Sequence, residues 1–204
     1  MSSLLDELKS RRSVRKYQPK SIPQELIKGV LTAASWAPSA HNAQPWRFIV
    51  LTEASSKRKL AGAMAQAWAV DMAKDGQKID ETNLLERVER FATAPVLILA
   101  CSTMEDMNKQ PDEKRQNAER DLALESLGAA MQNLLLAADA KGLGACWFCA
   151  PAFCKEVVRK NLKIPKEVEP AALVAIGYPA EKSSAPPRKP LGDFCFKDKW
   201  GGEL

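Results

Sequence analysis

Three guanidinium groups and a hydroxyl fall within five residues at Arg11-Arg12-Ser13-Val14-Arg15. A phosphate dianion is held best by several forked donors at once, and arginine supplies them in a fixed plane. Read alone, such a basic pentamer is more often solvated surface than an anion site. Arg188 and Lys189, near the other end of the chain, form a second candidate anion site. Between them, Ala37-Pro38-Ser39-Ala40-His41-Asn42-Ala43-Gln44-Pro45-Trp46 presents two side-chain amides in a stretch held by prolines. Each amide is both donor and acceptor, which suits the pyrimidine edge of a heterocycle, where carbonyls alternate with N–H. The plainer reading is a polar turn before a strand.

Other chemistries find less support. His41 is the single histidine, so any Ser-His-Asp or Cys-His hydrolase must use it, and no Gly-x-Ser-x-Gly elbow is present. Cys146-x-x-Cys149 competes as a redox or metal pair. On a strand, however, residues three apart point to opposite faces, and the chain has no second such pair, which argues against zinc. Gly142-Leu143-Gly144 is too short for a dinucleotide fingerprint and lacks the strand-GxGxxG-helix surroundings, so no Rossmann domain is expected.

The elements that must position these residues can be read from periodicity. Leu4, Leu5 and Leu8 predict a short helix capped by Ser2 or Ser3 and ending near Ser10, where the basic cluster begins. Ser21, followed by Pro23, reads as the cap of a second helix running to about Ser35. WRFIVL after Pro45 and VLILAC after Pro95 read as buried strands. Helical patterns cover Ser55 to about Ala73 and a further segment ending near Ala92. The charged stretch 104–120 reads as an exposed loop and a candidate lid. Leu122 to Ala138 then recur at three- and four-residue steps, predicting a long central helix that stops at Lys141-Gly142. A short strand within 142–150, a helix over Phe153–Leu162 and a strand over Ala171–Tyr178 follow. After Pro186, Pro187 and Pro190 comes an extended arm whose Phe194, Phe196 and Trp200 need a surface to bury against, such as a partner subunit.

With 204 residues, 46% of them apolar and 27% charged, the chain is expected to be one domain spanning 1–204. The net charge of +5 is spread among acidic residues, so no nucleic-acid partner is implied. No run approaches the roughly 18 to 20 apolar residues of a membrane span, and the N-terminus lacks a signal-peptide core. A cytoplasmic protein with reduced thiols and no membrane partner is expected, and the five cysteines fit no disulfide framework.

Taken together, RRSVRKY and APSAHNAQPW closely resemble, in order and spacing, the two N-terminal signatures of the FMN-dependent nitroreductase family. GLGACWFCAP resembles that family's GLG-x-x-W segment, and PPRKPLGDF with the terminal Trp-Gly resembles its C-terminal basic arm. The resemblance spans essentially the whole chain and is weakest from about Ser55 to Glu119. It implies an α+β nitroreductase-like fold: a central, mostly antiparallel sheet flanked by helices, with the C-terminal arm exchanged in a homodimer.

The resemblance also implies roles. Arg11, Arg12 and Ser13 match the motif that holds the FMN phosphate and ribityl chain, and Arg15 the cation facing flavin N1 and O2, which favours the anionic reduced form. Pro38, Ser39, Ala40, Asn42 and Gln44 match the loop that reaches the flavin from the neighbouring subunit, with His41 near the dimer interface. Cys149 and Ala150 match the place where backbone N–H groups approach N5 and O4, although many relatives carry a Glu-Gly or similar small pair there. Arg188 and Lys189 complete the phosphate site. NADH or NADPH is expected as a transient donor, and nitroaromatics or quinones as small-molecule acceptors using the same pocket in a ping-pong sequence. No side-chain acid or base and no metal is required. Trp68 and Trp147 are candidates to border the pocket. The alternatives are a flavin reductase of one specific metabolite, of the deazaflavin-biosynthesis or dehalogenase kind, and a flavin-binding protein without turnover.

Overall fold

The computed structural model describes residues 4–181 and 183–204. A four-stranded antiparallel sheet in the order β1-β2-β4-β3 forms its centre, built from β1 (Trp46–Leu51), β2 (Val96–Thr103), β3 (Gly144–Phe148) and β4 (Val168–Gly177). The inner strand β2 is buried along its whole length, which is why its sequence is an unbroken apolar run rather than an alternating one. Its residues nevertheless divide by the period of two. Val96, Ile98 and Ala100 face α2 (Gln24–Ser35) and α5 (Glu113–Ala140), whereas Leu97, Leu99 and Cys101 face α3 (Ala54–Lys74), α4 (Glu81–Ala92) and α7 (Lys155–Leu162). The result is three layers, with α5 the central helix of one of them. Leu127, Ala130, Met131, Leu134, Leu135 and Ala138 carry its buried face.

The α+β class and the mostly antiparallel sheet follow the sequence expectation, and several boundaries differ. The helix α5 starts at Glu113, so only 104–112 of the expected 104–120 loop is irregular. Asp112 caps it by accepting from the Arg115 N–H at 2.9 Å, and its polar first turns lie beyond the sheet, where a helix needs no apolar stripe. The helix α2 begins at Gln24 with Pro23, not Ser21, in the cap position and no side-chain cap bond. The Pro23 carbonyl instead accepts from the Leu26 and Ile27 amides. The helix expected over Phe153–Leu162 is interrupted at Cys154 (φ −142°, ψ 45°) between α6 (Ala150–Phe153) and α7.

Strand β4 begins three residues earlier than expected because Pro170 sits where the register against β2 shifts between Ala100 and Cys101. A proline is tolerated at such a bulge because no ladder donor is needed there. The first helix, α1 (Leu4–Ser10), is present, and the expected cap at Ser2 or Ser3 lies outside the described residues. Among the described residues beyond β4, the one helical element is a 3₁₀ turn at Leu191–Asp193.

Candidate functional site

The basic segment after α1 is laid against the open edge of the sheet. Ser13 bridges Ala145 of β3 in parallel fashion, the Val14 N–H donates to the Ala145 carbonyl at 3.0 Å, and Tyr17 bridges Pro179. Two glycines make that approach possible. Gly144 and Gly177 are partners in the β3–β4 register. A Cβ on Gly144 would stand 2.6 Å from the Val14 Cβ, and one on Gly177 would stand 2.7 Å from the Tyr17 ring. The Tyr17 hydroxyl lies 2.6 Å from the Val14 carbonyl and 2.9 Å from the Ala175 carbonyl, pinning the segment from its far end. Burial, and secondarily Cys146, pushes the Tyr17 phenol well above its usual range, so it stays a donor.

Held in this way, Arg11, Arg12, Ser13 and Arg15 line one cavity of about 620 Å³, and its opposite wall is Glu181, Ser183, Ser184, Pro186 and Arg188. The two basic clusters therefore meet in space although they stand at opposite ends of the sequence. Arg12 is braced by donating to the Lys9 carbonyl at 2.6 Å and the Arg11 carbonyl at 2.8 Å, and Arg15 reaches the Ser13 carbonyl at 3.3 Å. The one carboxylate in the wall, Glu181, is occupied by Lys16 at 3.0 Å, and no ion pair among the described residues engages Arg11, Arg12, Arg15 or Arg188. By charge and donor geometry, four guanidiniums around one polar cavity are suited to hold an anion. Lys189 is exposed beside Arg188 and does not line the cavity. Beneath it, burial pushes the Cys146 thiol up in pKa against the opposing pull of Arg15 and Arg11.

The amide-bearing segment lies elsewhere in the protomer. Asn42 and Gln44, with His41, Arg47 and Asp106, line a separate open depression. Three non-glycine residues here take left-handed backbone conformations, His41 (φ 56°), Asn42 (φ 52°) and Gln44 (φ 47°). Each such residue costs on the order of 1 kcal/mol and persists only where the surroundings impose it. The bonds that impose it come from the segment itself and from α5: the Gln44 N–H donates to the Ser39 hydroxyl at 3.1 Å, and the Ala40 N–H to the Ser126 hydroxyl at 3.1 Å. Pro38 is exposed at the segment's entry, so Pro38, Ser39 and Ala40 shape the turn while Asn42 and Gln44 present their amides outward.

Cys149 caps α6 and is exposed, whereas Ala150 lines a third, apolar cavity of about 410 Å³ with Met64, Trp68, Arg87, Phe91 and Phe153 among its walls. Of the two tryptophans expected to border a pocket, Trp68 does so and Trp147 is exposed on β3. Sequence reasoning gave no role at the site to Gly144, Gly177, Tyr17 or the serines 183 and 184. The second glycine of GLG carried the only visible signal, and its meaning depends on Val14 lying over it.

The matched relatives agree with this architecture. The chain fits the model described as Nitroreductase family over residues 8–178. A protein of Methanothermobacter thermautotrophicus, whose name pairs NADH dehydrogenase with NAD(P)H nitroreductase, is 32% identical over 180 residues, 87% of this chain and 78% of that protein. The NADH dehydrogenase of Thermus thermophilus is 31% identical over 206 residues, 89% of each. Among solved structures, a BluB-like flavoprotein from Clostridium difficile superposes with a TM-score of 0.78 at 24% identity, covering 98% of this chain and all of that one (100%). The NADPH:FMN oxidoreductase of Vibrio harveyi, solved with NAD+, gives 0.74 at 18% identity over 98% of this chain and 78% of that one. At those two identities the likeness is one of fold. The chain belongs to the nitroreductase family and is an oxidoreductase of that class.

Proposed function

We propose that the protein is an FMN-dependent NAD(P)H oxidoreductase that works as a homodimer, with each flavin held between two subunits. The observation that carries this reading is the convergence of Arg11, Arg12, Ser13, Arg15 and Arg188 on one cavity. The donor set fits the cofactor's phosphate: several planar forks and a hydroxyl, with the one carboxylate in the cavity wall, Glu181, paired with Lys16. The clearance at Gly144 and Gly177 that brings the arginines onto the sheet edge is a cradle that any side chain would fill.

When bound, FMN supplies the two-electron chemistry linking a nicotinamide donor to a nitroaromatic, quinone or similar small acceptor, the two using one pocket in turn. The chain's own residues bind and tune. Arg11, Arg12, Ser13 and Arg188 hold the phosphate and ribityl end, with Lys189 adding charge from the rim. Arg15 places a cation toward the pyrimidine end, and the main chain at Cys149 and Ala150 offers N–H donors to the reactive edge. Pro38, Ser39, Ala40, Asn42 and Gln44 act on the partner's flavin, which accounts for their distance from the cradle within one protomer. The C-terminal arm supports the dimer: Phe194 and Trp200 are 61% and 90% exposed in the single chain, apolar area that a second subunit would remove from water.

The test is anaerobic mixing of the FMN-loaded protein with NADH and, separately, NADPH, followed by an acceptor. Bleaching of the flavin absorbance by either donor and its return with the acceptor are expected. A flavin that stays oxidised with both donors would leave a binding protein and end the oxidoreductase reading.

A further inference from the structure

The apolar cavity between α3, α4 and α6 has a feature that a plain hydrophobic slot lacks. Met64, Trp68, Phe91 and Phe153 supply most of its wall, and its volume of about 410 Å³ suits one small organic molecule. A single cation stands in that wall. The guanidinium carbon of Arg87 lies 3.3 Å from the centroid of the Trp68 ring, and no ion pair among the described residues uses Arg87. The one carboxylate at the cavity, Asp71, is engaged by Lys74 at 2.8 Å. A guanidinium held over an indole keeps N–H groups available to an anion. The Phe153 ring, 84% exposed, stands at the mouth. The cavity also includes Ala150, so it adjoins the main-chain donors assigned above to the reactive edge of the cofactor.

We propose that this cavity is the acceptor pocket and that it selects flat aromatic acceptors carrying one anionic group, with Arg87 as the specificity-determining residue. This rests on the oxidoreductase reading for the word acceptor, while the binding preference itself does not depend on flavin. The aromatic walls remove the ring from water, and Arg87 supplies the cation that pairs with a carboxylate.

The pair of probes is 4-nitrobenzoate and nitrobenzene, which differ only by the carboxylate, with 4-nitrobenzylamine as the cationic counterpart. Titration calorimetry of the FMN-loaded protein is expected to show 4-nitrobenzoate binding at least tenfold tighter than nitrobenzene, with 4-nitrobenzylamine weakest. In Arg87→Met the advantage of 4-nitrobenzoate over nitrobenzene should fall to within about twofold, and Arg87→Lys should keep part of it. Flavin absorbance is expected to be the same in all three proteins. Equal affinity for the three probes in the wild type overturns the proposal without any variant, as does a preference that survives Arg87→Met. If the flavin is not retained at all, the oxidoreductase reading fails, and the same titration on the colourless protein still decides the anion preference.

Discussion

The imidazole Nε2 of His41 lies 3.2 Å from Oε2 of Glu119, a carboxylate buried on the first turns of α5. The Gln110 amide donates to the other carboxylate oxygen at 2.9 Å, and the Asn108 amide nitrogen lies 3.2 Å from the same imidazole nitrogen. One residue of the amide-bearing segment, two of the following loop and one of the central helix are thereby tied together. This joins the left-handed backbone at His41 to the helix that crosses the sheet. The sole histidine thus has a structural partner, whatever it faces in a dimer.

His41→Ala leaves Glu119 with only Gln110 and should lower stability by about 1 kcal/mol, since the imidazole is the group facing its second buried oxygen but is itself part-exposed. Adding Glu119→Leu should recover part of that loss. Urea denaturation of the two single variants and the double variant checks this through a double-mutant cycle. Strict additivity would show that the two side chains are not coupled.

Gly144→Ala and Gly177→Ala should each destabilise the protein by roughly 1 to 3 kcal/mol, because the new methyl must displace Val14 or Tyr17. Both should also weaken FMN binding, because the displaced segment carries the arginines. Thermal melts and a flavin titration on the same samples read the two effects. Unchanged flavin affinity in a destabilised Gly144→Ala would separate the glycine from the cradle.

Burial pushes the Cys101 thiol up to about 12 and the Cys146 thiol up as well, whereas Cys149 is exposed. Raised values leave little thiolate at pH 8, and thiolate is the species that reacts. A disulfide reagent at pH 8 should label Cys149 in a fast phase that Cys149→Ser abolishes, with Cys101 and Cys146 reacting only on unfolding. Labelling of Cys101 at the same rate as Cys149 in the folded protein would contradict the packing of β2.

Deleting residues 191–204 removes Leu191, Phe194, Trp200 and Leu204, the exposed apolar side chains of the arm. The truncated chain should run as a monomer in sedimentation and retain flavin poorly, while keeping its helical circular dichroism. A truncated chain that remains dimeric with full flavin would show that the arm is not what joins the subunits.

Much of this was legible in the sequence, and the shortfalls have identifiable causes. VLILAC declared itself as a strand because burial on both faces demands unbroken apolar side chains, whereas WRFIVL, an edge strand buried only at its two ends, did so through its aromatic and β-branched residues. The start of α5 was hidden because Glu113 to Arg120 project past the sheet, and a polar helical turn without a buried stripe looks like a loop. Asp112, three residues before Arg115, was the available cap signal. Pro170 concealed the first residues of β4, since a proline argues against a strand unless a bulge is known to be there. At the site, both arginine clusters were visible but not their meeting across the edge of β3, which depends on Gly144 and Gly177 admitting the N-terminal segment. Arg87 gave no signal, because a charged residue on a polar helix reads as solvated until Trp68 is seen beneath it.

The central claim is that the arginines of the two chain ends grip one phosphate. Titrating FMN into wild-type, Arg11→Ala and Arg188→Ala protein, followed by the visible flavin band, measures it directly. A yellow wild-type protein and affinity at least tenfold weaker in each variant is the predicted result, in line with about 1.4 kcal/mol or more for a lost charge-assisted contact. Wild-type affinity in both variants would contradict it.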